Sequence, residues 1–259
     1  MRRLFIHMAV ILIMASILVG CAKSPYTGRS QLMVMSEEQE QALGLEASQE
    51  VKKREDIIST GPGVDRITDV GLRIAAAVGN PEMTWEFLLV KNDETVNAFA
   101  LPGGKIFVYT GLLNLASTNP ELATVMAHEV AHVLARHGAE RLSTQMFISL
   151  GGQAGAVALG MGNSAVASVF SQVYGTGVNV GVMLPFSRNM ESEADYIGLI
   201  LMAKAGYDPE SALTFWRKMA KNKGGKSVPA WLSTHPTNAA RIEKIQKALP
   251  EIKKKYWKP

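Results

Sequence analysis

His128-Glu129-Val130-Ala131-His132 is the stretch of this 259-residue chain whose residue types and spacing best suit chemistry. Two histidines four residues apart stand one turn apart on the same face of a helix. From there both imidazoles reach one metal ion at about 2.0–2.1 Å. Glu129 is placed to polarise a metal-bound water. The chain has only 5 histidines, so the spacing is not a product of abundance. The competing reading is a surface helix that happens to carry two of them.

A tetrahedral catalytic zinc needs a third protein ligand. The extended pattern His-Glu-x-x-His-x-x-Gly-x-x-His does not supply it, because Ala135 stands where the glycine belongs and Gly138 where the third histidine belongs. His137 misses by one residue, about 140° around the helix from His132 at ~100° per residue. It is expected as a solvated residue near a helix C-terminus beside Gly138. A carboxylate from residues 187–206 suits the role better. Glu191 and Asp195 are four apart and share a face, while Glu193 lies on the other side. One carboxylate can bind the metal while the other accepts the free N–H of a ligating histidine and fixes its tautomer. Spacing alone leaves open which does which, and also leaves an exposed acidic first turn favoured by the helix dipole.

These side chains need elements to hold them. Asn119-Pro120-Glu121 predicts an N-cap, a first-turn proline and a dipole-compatible carboxylate. Leu122, Val125, Met126, Val130, Val133 and Leu134 then recur at helical spacing. Such a helix is buried, and a charged face on it needs a reason. Ser36-Glu37-Glu38-Gln39 opens a helix toward Lys53 with a capping box. A second helix is expected over Val64 to Val78, and a strand over Trp85 to Val90. Val96 to Ala100 and Ile106 to Tyr109 read as strands around Pro102-Gly103-Gly104. Glu210 to Ala220 and Asn238 to Ala248 read as later helices. The expected fold is α+β: a small sheet beside a helical bundle, with the metal between two helices. A strand ahead of the metal helix can pair with an extended peptide through its backbone; the plainer reading is a hairpin that supports the helix.

Arg2-Arg3, an apolar run from Met8 to Val19 and a small residue at Gly20 form a signal-peptide pattern, with a run too short to span a membrane well. Cys21 is the only cysteine, which excludes an internal disulfide and a cysteine zinc site. Removing residues 1–20 leaves 239 residues, enough for one domain, and lowers the formal net charge from +4 to +2. That balance is too mild to argue for nucleic acid. Lys253-Lys254-Lys255 with Tyr256 and Trp257 is expected as a solvated basic end, with anionic lipid as the alternative. From Leu142 through Ser187 no charged residue or histidine occurs. This glycine- and alanine-rich segment is expected to form a mobile hairpin or plug over the cleft, in preference to core packing or a membrane hairpin.

The order of these motifs resembles a known family. His128–His132, then Glu191-Ser192-Glu193-Ala194-Asp195, then Ser233-Thr234-His235-Pro236 leading to Arg241-Ile242, is similar to the CAAX-prenyl-protease/HtpX-like family of gluzincin zinc metallopeptidases. Within it, the chain looks like the LoiP-type, OMA-like branch of bacterial envelope lipoproteins. The resemblance covers roughly residues 30–250. It implies one Zn2+ per chain held by His128, His132 and Glu191, with Glu129 as general base. It implies Asp195 as the partner of a ligand histidine and His235 as a stabiliser of the tetrahedral intermediate. From spacing alone His235 reads as a capping or loop histidine before Pro236.

Leu18-Val19-Gly20-Cys21 resembles a lipobox, which implies cleavage before Cys21 and acylation of it. Ala22 weakly favours an outer-membrane anchor facing the periplasm. The implied organisation is a signal peptide at 1–20, a lipidated tether at 21–35 and one metallopeptidase domain at 36–259. The implied function is hydrolysis of peptide bonds in misfolded or membrane proteins of the bacterial envelope. Its partners would be polypeptide substrates, the membrane through the anchor, and no nucleic acid. The alternatives are an envelope chaperone or assembly factor with little proteolysis, and a structural zinc site in a binding module.

Overall fold

The computed structural model describes residues 21–149, 185–221, 229–236 and 238–258. The signal-peptide stretch and most of the charge-free segment, residues 150–184, lie outside the described residues. The expectations of a cleaved leader and of a plug over the cleft therefore fall outside them too. None of the helices described is long and apolar enough to cross a membrane.

The chain opens with a hairpin of β1 (Cys21–Lys23) and β2 (Ser30–Leu32), paired antiparallel. Helix α1 (Glu37–Arg54) starts at Ser36, whose hydroxyl accepts from Gln39 N while the Gln39 side chain accepts from Ser36 N. That is the expected capping box. Helix α2 (Pro62–Val78) ends on Gly79 in the left-handed region. The main sheet contains β3 (Ile57–Ile58), β4 (Glu86–Val90), β5 (Ala98–Leu101) and β6 (Lys105–Tyr109). Its order is β3-β4-β6-β5, with β4 and β6 parallel and the other pairs antiparallel. β5 is thus an edge strand among the described residues. The β5–β6 turn needs glycine, since Gly103 and Gly104 have φ of 76° and 77°.

Helix α3 (Thr110–Leu115) leads into α4 (Asn119–Leu134), the helix of the two histidines. Its N-cap is Thr118, one residue before the expected Asn119. Thr118 and Glu121 satisfy each other's backbone N–H groups in a capping box, which decides the start. The expected apolar positions Leu122, Val125, Met126 and Val130 are fully buried. Helix α5 (His137–Ser149) follows almost directly. Helix α6 (Arg188–Lys204) packs on α4, and a Cβ added at Gly198 would lie 3.3 Å from the backbone N of His128. That close approach brings the acidic residues of α6 within reach of the histidines.

Helix α7 (Glu210–Lys221), the short α8 (Ala230–Thr234) and α9 (Ala239–Tyr256) complete the fold. Instead of stopping near Ala248, α9 continues through Pro250. Its buried stripe of Arg241, Ile245, Leu249 and Ile252 crosses the proline, so tertiary packing outweighs the lost backbone hydrogen bond. At the basic end Lys254 and Lys255 are exposed, as expected, while Lys253 is engaged. Lys253 pairs with Asp208 at 3.1 Å and Glu210 at 2.9 Å, and lies over the ring of Trp257.

Candidate metal centre

Helix periodicity puts His128 and His132 on one face of α4, and their Nε2 atoms lie 3.1 Å apart. From α6, Glu191 Oε1 lies 3.4 Å from His132 Nε2, and Oε2 lies 3.6 Å from His128 Nε2. His235, at the C-terminal end of α8, places Nδ1 3.2 Å from His128 Nε2 and 2.9 Å from Glu191 Oε1. Its position depends on Trp231, whose backbone N–H donates to Val96 O at 3.1 Å and draws α8 against the segment entering β5. One ligand atom from each of His128, His132, Glu191 and His235 lies within 4.8 Å of all the others. All four residues are 3% exposed or less.

This donor set fits a divalent metal. Asp195 Oδ1 lies 3.1 Å from His128 Nδ1, so that nitrogen donates and Nε2 faces the cluster. Burial lowers the pKa of the ring, but Asp195 and Glu191 outweigh it and raise it to about 9, and a metal would take the place of the Nε2 proton. Imidazole nitrogens and a carboxylate oxygen converging in a buried space are the ligand types that zinc and its first-row neighbours take. Glu129 lies beside this group. Its Oε1 accepts from Trp231 Nε1 at 2.8 Å and is 3.4 Å from His235 Nε2.

The charges are balanced by a residue that sequence reasoning missed. Arg241, near the start of α9, is buried. Its Nη1 lies 2.5 Å from Glu191 Oε2, and Nε and Nη2 contact the two oxygens of Asp195 at 2.6 and 2.8 Å. The guanidinium also lies over the Trp216 ring, 3.7 Å from its centroid. Burial pushes the Glu191 carboxyl up, but Arg241 and His235 outweigh it and hold the group well below the usual carboxylate range. The same contest, again decided by Arg241, holds Asp195 down. His132 goes the other way: burial drives its pKa well below the ordinary histidine value, so the ring is neutral and fit to ligate. No local signal marked Arg241, because a cation in the first turn of a helix is disfavoured by only about 0.3–1 kcal/mol and can sit in solvent without a partner.

The structure thus gathers His128, Glu129, His132, Glu191, Asp195 and His235 into one cluster, while Cys21 stands apart in β1. Glu193 is on the opposite side of α6, as the spacing requires. His137 corrects the expectation. It is fully buried rather than solvated, because α4 ends at Leu134 and Arg136 takes a left-handed φ of 52°. The chain turns there, and the His137 ring stands 4.8 Å from the ring of His132. Phe186 covers the other side of His132 at 4.0 Å between centroids. A small pocket is lined by His132 and Phe186 together with Ala100, Leu101 and Pro102 at the end of strand β5.

A helix bearing both histidines and a glutamate, faced by a glutamate-bearing helix and flanked by a small sheet, is a zincin arrangement. Residues 64–249 match the model of Peptidase family M48, and the chain belongs to that family. The members of this family are metal-dependent peptidases, in keeping with the buried His/Glu group. The chain is similar to the mitochondrial metalloendopeptidase OMA1 of Schizosaccharomyces pombe, 42% identical over 185 residues, covering 71% of this chain and 52% of the relative. It is similar to human mitochondrial metalloendopeptidase OMA1, 30% identical over 246 residues, covering 89% and 46%. It is also similar to the beta-barrel assembly-enhancing protease of Escherichia coli, 29% identical over 224 residues, covering 84% and 45%. The chain spans about half the length of these relatives.

Proposed function

We propose that this chain is a zinc endopeptidase of the bacterial cell envelope, with one Zn2+ held by His128, His132 and Glu191. The convergence of these three buried side chains beside Glu129 carries the reading. When bound, zinc supplies a Lewis acid that acidifies a water and polarises the scissile carbonyl. Glu129, held by the Trp231 N–H, takes the proton of the attacking water and later delivers it to the leaving amine. His235 turns its ring from Glu191 toward the carbonyl oxygen and donates a hydrogen bond to the charge that develops there. Asp195 fixes the orientation of the His128 ring, and Arg241 keeps Glu191 and Asp195 ionised. An extended peptide adds to β5, the edge strand among the described residues, beside the small pocket that reaches His132. Recognition through the backbone suits unfolded chains of varied sequence.

The envelope location is supported by the N-terminal pattern ending at Cys21, which we assign as the lipidated residue, with an outer-membrane anchor facing the periplasm. The similarity to the Escherichia coli protease agrees with a bacterial envelope role, whereas the OMA1 relatives are mitochondrial. Misfolded membrane proteins are the proposed substrates. Glu129→Gln is the test: it should retain zinc and lose cleavage of an unfolded protein such as casein. Full cleavage by that variant removes Glu129 as the base. Comparing envelope proteomes of cells with wild type and Glu129→Gln identifies the substrates.

One observation favours a second reading. His235 gives the cluster a fourth protein donor, and a closed four-ligand shell is typical of non-catalytic zinc. The chain would then serve as an envelope chaperone or assembly factor. Complementation of an envelope-stress defect by Glu129→Gln supports that role; failure to complement supports the peptidase.

A further inference from the structure

His137 and Glu193 are buried, and neither belongs to the four-residue metal cluster. His137 Nε2 lies 3.1 Å from Glu193 Oε2, and its Nδ1 lies 2.9 Å from Nδ1 of His132. An ionised carboxylate only accepts, so His137 Nε2 carries the proton of that contact. A neutral imidazole has one proton, which leaves His137 Nδ1 as an acceptor. The proton between the two rings then belongs to His132 Nδ1. His132 Nε2 keeps its lone pair, and it is this atom that faces His128 Nε2 and Glu191 Oε1.

Glu193 is fixed in turn by the N-terminal hairpin. Arg29 Nε donates to Glu193 Oε2 at 2.6 Å, and the Thr27 hydroxyl donates to Glu193 Oε1. The other two nitrogens of Arg29 clasp the Glu140 carboxylate at 2.7 and 2.6 Å. The hairpin is docked further by Gln31, which donates to Ala135 O at 2.6 Å. The segment expected as a tether therefore includes a folded part tied to the metal helix.

We propose that His137 and Glu193 are positioning residues that set the tautomer of His132, and that Arg29 holds the pair from the hairpin. The proposal rests on the reading of His132 as a metal ligand. His128 receives the same service directly from Asp195, whereas His132 receives it through an interposed imidazole. The path Arg29–Glu193–His137–His132 makes the hairpin that follows Cys21 part of the metal site's framework.

The test reads ring nitrogens and metal affinity separately. In the metal-free protein, nitrogen NMR of the His132 ring should show a protonated Nδ1 and a pyridine-type Nε2. His137→Leu should disturb that pattern and weaken zinc, measured by chelator competition, by about 10- to 100-fold. His137→Asn, which offers an amide oxygen near the position of Nδ1, should recover much of both. Arg29→Met should weaken zinc less than His137→Leu, and an unchanged affinity removes Arg29 from the path. A proton on His132 Nε2 in the wild type overturns the proposal, and so does a folded His137→Leu that binds zinc as tightly as wild type. If His137→Leu does not fold, the wild-type ring spectrum decides alone. Zinc binding that survives His132→Ala undoes the ligand assignment instead, without touching the tautomer measurement.

Discussion

Replacing Arg241 by methionine tests the electrostatics of the centre most directly. The substitution keeps an unbranched apolar stem of similar reach over Trp216 and removes only the charged fork. The wild-type fork touches Glu191 at 2.5 Å and Asp195 at 2.6 and 2.8 Å, all in a buried space. A unit charge pair about 4 Å apart is worth about 4 kcal/mol at an effective dielectric of ~20. Arg241 serves two such partners, and its own desolvation offsets part of that. Stranding buried carboxylates by removing their cation costs about 3–5 kcal/mol in comparable cases. The stacking on Trp216 adds roughly 1–2 kcal/mol, which the thioether side chain returns in part. The expected loss is therefore about 3–5 kcal/mol, or a drop in Tm of roughly 6–20 °C for a domain of this size.

The assay is urea unfolding in excess chelator, so that metal binding does not enter the comparison. Arg241→Lys keeps the charge but cannot grip two carboxylates at once, and should fall between wild type and Arg241→Met. A loss below about 1 kcal/mol for Arg241→Met would refute the reasoning. It would mean that Glu191 and Asp195 do not depend on Arg241 to remain charged.

The remaining expectations are shorter. Trp231→Phe keeps the ring stacked on Trp216 but removes the donor 2.8 Å from Glu129; kcat/KM should fall about 10-fold or more with zinc content unchanged, and an unchanged rate would show that Glu129 needs no such hold. Glu121 caps α4 and pairs with Lys218 at 3.2 Å; burial raises its pKa, but Lys218 and Ser117 outweigh this and hold it below the usual value. A depressed carboxyl stabilises the fold above its unfolded pKa and loses that effect as pH falls. Glu121→Gln should therefore cost about 1 kcal/mol at neutral pH and less below about pH 4, and an equal cost at both pH values would contradict it. Chelation should abolish cleavage and lower the Tm, with zinc restoring both; activity that persists without metal would end the metallopeptidase reading.

Much of the site was legible because its first half is local. A period of 3.6 residues puts His128 and His132 on one face and gives Glu191 and Asp195 another, whatever else the chain does. Helix α1 could be read for the same reason, since the Ser36–Gln39 capping box is complete within four residues. What could not be read joins distant segments. Arg241 meets Asp195 across 46 residues, Trp231 meets Glu129 across 102, and Arg29 meets Glu193 across 164. No periodicity spans such gaps. His137 is hidden from the sequence for another reason: helical angles hold only within one helix, and Arg136 turns the chain into the left-handed region before His137.

Glu193 shows how a correct placement can still mislead. It does lie away from Glu191 and Asp195, and the opposite face of a helix is ordinarily solvent. Helix α6 has little solvent face along this stretch, since Met190, Glu191, Glu193, Ala194, Asp195 and Ile197 are all buried. On such a helix each carboxylate needs a cation or a hydrogen-bond donor of its own, because an unpaired buried charge is not tolerated. The apolar run from Ile197 to Met202, wide enough to wrap the helix, already pointed to burial on both faces. Read that way, two acidic faces demand two sets of partners. Arg241 and His128 answer one of them; His137 and Arg29 answer the other. The residues that orient a metal site are in this sense its least local part, because orientation requires contact from the side that the ligand helix does not control.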